Sequence, residues 1–378
     1  DWRDDGGSGV INSDALPDNR LARLRSSPLW PRPVVWMSIA AVVVAGLVGA
    51  MLVIAMGVPL SEAVAAFADG AWGSSYAIAA SVHRALALGM VGLGFVIAQR
   101  ANLTNVGGEG QIAVGGIAAT AVSLYGGVSE LAAPWPYLLP MVAAILAGGL
   151  WGAIAGVLKA KAGTNEVIST LLMSFIAVWM VYGAVQSESL LRQPMTSTAT
   201  LPESAEIPDS TKLPYLNPDA DAPIHIGSLI ALVLAAVVAV ALDKTVWGMR
   251  LRAIGLNPVA ARRAGMRIIP VVIFVLFLAG AFGGLAGAFM LQGEQGSLKA
   301  QFSSGYGFDG LVVGLLARGS VPGVIAAAIL FGFLRSGGIT MELQAGVPSA
   351  LVLVIQGLII LLLAGSSFWI DRNKGATR

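Results

Sequence analysis

The sequence predicts an all-α protein that crosses a membrane about ten times, in two inverted repeats with discontinuous helices near the centre. Hydrophobic residues make up 56% of the 378 residues and charged residues only 12%, whereas a soluble domain carries about 25% charged residues. Apolar runs of about 20 residues, the length that spans a bilayer, recur along the chain. Lysine and arginine concentrate in alternate connections between these runs, as the positive-inside rule requires.

The membrane domain is predicted to occupy residues 33–370, between an N-terminal tail (1–32) and a C-terminal tail (371–378). Segment 59–83 is polar enough to be amphipathic or partly re-entrant. Ten segments of the domain are predicted to cross the membrane: 33–58, 84–100, 102–126, 134–158, 165–186, 226–243, 268–292, 305–319, 321–342 and 347–370.

The distribution of basic residues predicts that both tails are cytoplasmic. With this orientation, nearly all of the 23 lysines and arginines face the cytoplasm. The five exceptions are Arg84, Arg192, Lys212, Lys299 and Arg335. The acidic, proline-rich loop 187–225 then lies outside, and the basic loop 243–269 lies inside. A loop as long as 187–225 is either functional or a flexible insertion.

Two glycine-rich runs hint at an internal repeat. The run 104-TNVGGEGQIAVGG-116 opens the third segment, and 305-GYGFDGLVVG-314 opens the eighth. Each places a carboxylate, Glu109 or Asp309, between glycines before an apolar run. Because five segments separate them, the two runs have opposite orientations, which is the arrangement of inverted repeats with broken helices near the midplane.

The first run carries Asn105, Glu109 and Gln111 at membrane depth. Non-helical backbone is tolerated there only where protein or water covers it. The run therefore either lines a substrate path or forms a polar tie between packed helices, and the tie is the commoner role. Glycines 280, 283, 284 and 287 of the seventh segment are predicted to allow close helix packing, with Gln292 and Glu294 near its outer end.

The stretch 163-GTNEVISTLLMSF-175 predicts a helix start. Thr164 or Asn165 suits the N-cap position, and Glu166 suits the positive end of the helix. Capping explains both residues, and capping at a gate is compatible with function. Further along this helix, Ser169 and Phe175 offer a hydroxyl and an aromatic ring to a solute.

The basic loop 243–269 contains a second helix start. Asn257 is placed as N-cap, Pro258 as the first helical residue and Gly265 as the terminator. The short helix is either a patch that touches anionic lipid or a docking element for a cytoplasmic partner. Elsewhere, Arg335 lies within an apolar segment and needs a charged partner, with Glu342 and Asp309 as the candidates.

Several classes of function lack their residues. The chain has no cysteine and two histidines, so no metal cluster of these ligands is expected. It has no GxxxxGK[ST] loop for ATP and no GxSxG or HExxH motif, so no catalytic residue and no cofactor is assigned to it. Nucleic-acid binding is not expected, because the basic residues flank membrane segments without interleaved aromatic residues.

Taken together, these motifs resemble a known family. The chain resembles the permease subunits of bacterial ABC importers in the ribose and branched-chain amino acid permease superfamily, and especially the branch that imports nucleosides. Thr104 stands where the family usually has phenylalanine. The resemblance extends over residues 85–370 and rests on 105-NVGGEGQ-111, 163-GTNEVISTLLMSF-175, 252-RAIGLNPVAARRAGM-266, 305-GYGFDGLVVGLLARG-319, 331-FGFLRSGG-338 and 346-GVPSALVLVIQGLIIL-361.

The resemblance implies a multi-pass protein of the bacterial cytoplasmic membrane with several partners. These are a different, shorter second permease, an ATPase that holds ATP and Mg, and an external binding lipoprotein. It implies a substrate path along Asn105, Glu109, Gln111, Asn165, Glu166, Ser169, Phe175 and Asp309. It implies coupling to the ATPase through Arg252, Gly255, Asn257, Pro258, Ala261, Arg262 and Gly265.

Three other interpretations remain open at this stage. The substrate is a nucleoside by resemblance, but a simple sugar or a branched-chain amino acid suits the same fold. An ion-coupled secondary transporter also uses inverted repeats. A scaffold without transport fits poorly with so many polar groups at membrane depth. Loop 187–225 is longer than the family fold requires, so it is either a contact surface for the binding protein or an insertion.

Overall fold

The computed structural model describes residues 32–195, 201–217, 223–348, 350–359 and 361–362. The described chain is helical, with isolated β-bridges but no β-strand. The helices are α1 (Arg32–Ala55), α2 (Leu60–Trp72), α3 (Ser75–Arg100), α4 (Gly108–Tyr125), α5 (Trp135–Ala162), α6 (Glu166–Gln186), α7 (Gly227–Lys244), α8 (Val246–Leu256), α9 (Pro258–Arg263), α10 (Ile268–Met290), α11 (Tyr306–Leu316), α12 (Val321–Ala345) and α13 (Ala350–Ile359).

Side-chain caps define where several helices begin. The hydroxyl of Ser74 accepts a hydrogen bond from Ala77 N at 3.0 Å and starts α3. The predicted caps at Asn165 and Asn257 are confirmed: their side chains accept from the backbone N–H groups of Val167 and Ala260. Such caps satisfy backbone donors that no helical carbonyl can reach.

Helix α10 is the centre of the bundle and packs against α3, α4 and α5. Its glycines let the backbones approach closely, as predicted. A Cβ added to Gly284 would collide with the carbonyl oxygen of Ala144 in α5, and one added to Gly280 would collide with that of Gly148. The predicted packing role of the small residues in this segment is therefore confirmed.

Six helices of the described chain are long and apolar enough to span a membrane: α3, α5, α6, α7, α10 with its C-terminal extension to Gln295, and α12. Shorter apolar helices cover Ala40–Ala55, Tyr306–Leu316 and Ala350–Ile359. The predicted segments at these positions correspond to helices. Residues 1–31 of the predicted N-terminal tail (1–32), the predicted C-terminal tail 371–378 and the end of the last predicted segment lie outside the described residues.

The structure corrects three predicted segment boundaries. The predicted segment 59–83 is divided between two helices, because α2 ends at Trp72 and the Ser74 cap starts α3. Helix α3 is therefore 26 residues long and begins at Ser75, not at residue 84. The third segment becomes helical only at Gly108, after a non-helical stretch. The eighth is a helix of 11 residues.

Part of loop 187–225 is folded onto one end of the bundle, here called the loop end. In residues 201–217, Ile207 and Leu213 are buried. Ser204 N and Leu213 N donate hydrogen bonds to backbone carbonyls at 298 and 292, at 2.8 and 2.9 Å. Residues 201–217 are therefore held on the core by backbone hydrogen bonds and by two buried apolar side chains.

Candidate functional site

The two glycine-rich runs meet in the structure. Glu109, in the first turn of α4, is 5% exposed. Its carboxylate oxygens accept hydrogen bonds from Gly305 N and Gly307 N, each at 2.8 Å, at the N-terminus of α11. Gly307 has no room for a side chain, because an added Cβ would collide with the backbone of Glu109. This contact, here called the glycine junction, joins the two runs through a charged acceptor placed at a positive helix end.

Asp309 and Arg335 form an ion pair beside the glycine junction. The Arg335 guanidinium also lies 3.9 Å from the ring centre of Tyr306 and donates to the Ser304 carbonyl oxygen. Of the two candidate partners for Arg335, the structure selects Asp309 rather than Glu342. The pair ties α12 to the first turn of α11, which accounts for a charge at this depth.

Asn105 and Gln111 hydrogen-bond to each other, with distances of 3.0 and 3.1 Å between amide nitrogen and oxygen. Both are buried. The backbone N–H groups of Val106 and Gly110 donate to Thr170 and Ser174 of α6. The non-helical stretch before α4 is therefore held by protein groups. Glu109 ties α4 to the N-terminus of α11, whereas the Asn105 and Gln111 side chains bond to each other within the run.

The remaining predicted path residues lie on α6, apart from the glycine junction. Glu166 pairs with Lys159 at 2.8 Å, Asn165 caps the helix, and Ser169 donates to the Asn165 carbonyl at 3.0 Å. Phe175 is 55% exposed, on the outer face of α6 that also carries Trp179. The structure therefore separates the predicted path set into the glycine junction and the first half of α6, where Glu166 is buried, Ser169 is partly buried and Phe175 is exposed.

Two cavities lie at the loop end, on either side of a wall formed by Tyr215, Gly293 and Glu294. The larger has a volume of about 680 Å³ and includes Gln292 and Lys212 in its lining. The smaller, here called the Glu294 cavity, has a volume of about 340 Å³. It lies between α2, α3, α12 and the loop, and its lining includes Asp69, Tyr76, His83, Arg84, Tyr215, Glu294, Ser336 and Thr340.

An ion pair lies in the wall of the Glu294 cavity. Arg84 of α3 is 3.3 Å from the Glu294 carboxylate and donates to Ser336 Oγ of α12 at 3.1 Å. Glu294 follows α10 in a π-helical turn, Leu291–Gln295. The sequence alone predicts no role for this pair. The available signals were a basic residue at the start of an apolar run and a carboxylate at the end of another, but nothing in the sequence joins them.

Two histidines support the wall between the cavities. The rings of His83 and His225 stack with centres 4.1 Å apart. Gly227 N donates to His225 Nδ1 at 3.1 Å. An added Cβ at Gly293 would collide with the His225 ring. Within the described part of the chain, no group of three His, Cys, Asp or Glu side chains is arranged to hold a metal ion.

The predicted coupling helix is α9, and it lies at the end of the bundle opposite to the loop end. Leu256 and Val259 flank its start and are 81% and 61% exposed. Ala261 is only 5% exposed and therefore packs against its own chain. Arg252, Asn257, Pro258, Arg262 and Gly265 are exposed, and Gly255 packs against the backbone of α3 at Arg100.

Comparison with known proteins identifies the family. Residues 77–364 match the model of the branched-chain amino acid transport system permease component. The chain is 36% identical to the glucose ABC transporter permease protein TsgB13 of Haloferax volcanii over 78% of each chain. It is 34% identical to the guanosine ABC transporter permease protein NupP of Bacillus subtilis, over 84% of this chain and 89% of NupP.

A third relative, the nucleoside ABC transporter permease protein NupB of Lactococcus lactis, is 29% identical over 87% of this chain and 90% of its own. No solved structure matches the chain significantly. The family model covers well over half of the chain and two relatives exceed 30% identity over most of it. The chain therefore belongs to the family of branched-chain amino acid transport system permease components, and it is an ABC transporter permease with several helices suited to spanning a membrane.

Proposed function

We propose that this chain is the permease subunit of an ATP-driven importer that carries nucleosides across the cytoplasmic membrane. The observation that carries this proposal is the match to permeases named for guanosine and for nucleosides over 84% and 87% of the chain. The glucose permease TsgB13 is also 36% identical, and this relative supports a sugar as the second candidate. Both candidates are uncharged solutes rich in hydroxyl groups.

In the proposed topology, both termini are cytoplasmic and the chain crosses the membrane ten times. The six long apolar helices, the three shorter ones and α4 supply ten elements. The glycine junction is the point where the two inverted halves meet. Support for this arrangement comes from the backbone contact of Gly108 with Gly307, which lies between runs that are far apart in sequence.

The ATPase is proposed to dock on α8 and α9. Helix α9 has its own cap, with Asn257 Oδ1 accepting from Ala260 N at 3.0 Å. Leu256 and Val259 project apolar side chains beside the exposed Arg262 and Arg263, which suits insertion into a groove on a partner. The ATPase subunit would hold ATP and Mg, and this chain would supply no catalytic group.

Two further partners complete the proposed assembly. A second, different permease is expected to cover exposed apolar surface of this chain, including the α6 face around Phe175 and Trp179. An external binding protein is expected to dock at the loop end. The folded segment 201–217 offers it an ordered acidic surface, since Glu206 and Asp209 have side-chain exposures of 71% and 95%.

Uptake measurements test the proposal. A strain that lacks this chain, with and without the chain restored, is given labelled guanosine, glucose, ribose and leucine. Guanosine uptake that returns with the chain, stops on ATP depletion and survives dissipation of ion gradients is the expected result. Restored glucose or ribose uptake alone would favour the sugar candidate. Uptake that follows an ion gradient would refute the ATP-driven importer and favour a secondary transporter.

A further inference from the structure

The Glu294 carboxylate is held in place by unusual local structure. The π-helical turn Leu291–Gln295 widens the end of α10, and π-helical turns of this kind frequently occur at functional sites. Gly293, in the middle of the turn, faces the His225 ring and has no space for a side chain. The turn, the histidine ring and the Arg84 ion pair together fix where the Glu294 carboxylate lies.

The carboxylate keeps hydrogen-bonding capacity towards the cavity. The Glu294 side chain is 29% exposed, and it meets Arg84 through one oxygen at 3.3 Å. An ionised carboxylate has about four lone-pair sites, so further donors can be accepted. Ser336, in contrast, is engaged, because its hydroxyl donates to the Gly70 carbonyl at 2.8 Å and accepts from Arg84.

The charges around the two cavities disfavour anions. The Glu294 cavity is lined by one cation, Arg84, and two carboxylates, Asp69 and Glu294. The larger cavity beside it adds Glu206 and Asp209 against Lys212. Both cavities therefore have an excess of negative charge. A phosphorylated solute would meet like charge there, whereas an uncharged solute with hydroxyl donors would find acceptors.

Two tyrosines provide aromatic surface at the same cavity. Tyr76 and Tyr215 line it with side chains that are 67% and 49% exposed. The volume of about 340 Å³ lies within the range of roughly 300–1,000 Å³ that is usual for small-molecule sites. Exposed aromatic rings beside a carboxylate that can accept further hydrogen bonds suit a planar base attached to a sugar.

We propose that the Glu294 cavity is an outer binding site for an uncharged nucleoside, in which Glu294 accepts hydrogen bonds from the 2′ and 3′ hydroxyls of the ribose and Tyr215 packs against the base. Arg84 positions the carboxylate. The inference rests on the proposed function and adds to it a site and a basis for excluding nucleotides.

The test compares guanosine with 2′,3′-dideoxyguanosine as competitors of labelled guanosine uptake in the full assembly. The wild-type protein is expected to prefer guanosine by about tenfold or more, the size expected for hydrogen bonds to a charged acceptor. In Glu294→Gln the apparent KM for guanosine should rise and this preference should fall to about twofold or less. Glu188→Gln, at an exposed carboxylate away from both cavities, should retain the wild-type preference.

Each outcome supports or overturns the site. If Glu294→Gln weakened the binding of guanosine and of its dideoxy analogue by the same factor, the ion pair with Arg84 would be purely structural and the proposal would be overturned. If Glu294→Gln fails to assemble, the Tyr215 variants provide the test. Tyr215→Leu should weaken guanosine uptake, whereas Tyr215→Phe should preserve it. Equal guanosine uptake by the two variants would overturn the site. A wild-type strain that imports no guanosine would instead refute the proposed function. Competition by guanosine monophosphate as strong as by guanosine would refute the exclusion of anions.

Discussion

The carboxylate of Glu109 joins α4 to the N-terminus of α11 by accepting from two backbone N–H groups at 2.8 Å. Glu109→Gln keeps the size of the side chain and removes its charge. The amide has one acceptor oxygen, so one bond survives in weaker form and the NH₂ group faces the other N–H donor. Hydrogen bonds to a charged group contribute about 1.5–3 kcal/mol, and a buried unpaired donor costs about 1–3 kcal/mol. We expect the free energy of unfolding to fall by about 3 kcal/mol.

Heat denaturation of the purified assembly measures this loss, and uptake by the same variant is measured alongside. Glu130→Gln is the matched control, because Glu130 is exposed at the end of a short 3₁₀ turn. Surface substitutions of that kind change stability by about 0.5 kcal/mol or less. Unchanged thermal stability of Glu109→Gln, with uptake abolished, would refute the reasoning, because the carboxylate would then act on a transported solute or proton.

Three further predictions follow from packing, docking and charge. Gly284→Ala places a Cβ against a carbonyl of α5 and should lower stability by about 1–3 kcal/mol, whereas Gly183→Ala, with open space around it, should be neutral or slightly stabilising in heat denaturation. Leu256→Asp should abolish stimulation of the ATPase at normal expression; persisting stimulation would exclude this surface from docking. Lys212 lowers the pKa of Asp209 by hydrogen bonding and by its charge. This contact therefore stabilises the folded segment 201–217 fully above the usual Asp pKa of about 3.9, and its stabilisation is lost as pH falls through the lowered pKa. Protease resistance of the loop should therefore decline at acid pH, and Lys212→Met should remove that part of the pH dependence.

The sequence predicts the helices well because caps and apolar runs involve residues that are close together in the chain. Asn165 and Asn257 precede apolar or alanine-rich runs and cap them as expected. The close packing of α10 through its glycines could also be predicted, because small residues recur along this one segment. The Ser74 cap was missed, and with it the true start of α3. The residues around Ser74 are polar enough to suit an amphipathic surface segment, so the sequence does not distinguish that from the start of a membrane helix.

The candidate site could not be assembled from the sequence, because its parts come from four distant regions. Asp69, Arg84, Glu294 and Ser336 line one cavity only after α2, α3, α10 and α12 have packed. The π-helical turn at Leu291–Gln295 also escapes a search for the 3.6-residue period. From charge alone, both Asp309 and Glu342 could pair with Arg335. The structure shows that Arg335 pairs with Asp309.

Glu109 and Glu294 are the same residue type at comparable positions beside glycines, and their surroundings give them different chemistry. Glu109 is 5% exposed, and backbone donors occupy both of its oxygens. The Glu294 side chain is 29% exposed and meets Arg84 through one oxygen. Glu109 is buried among protein groups, so a solute has little access to its carboxylate, whereas the Glu294 carboxylate lines a cavity and has lone-pair sites that can accept from hydroxyls. The same Glu→Gln change should therefore alter stability at position 109 and solute preference at position 294. If both variants changed only stability, the Glu294 cavity would lose its role in selecting the solute and the family fold would still stand.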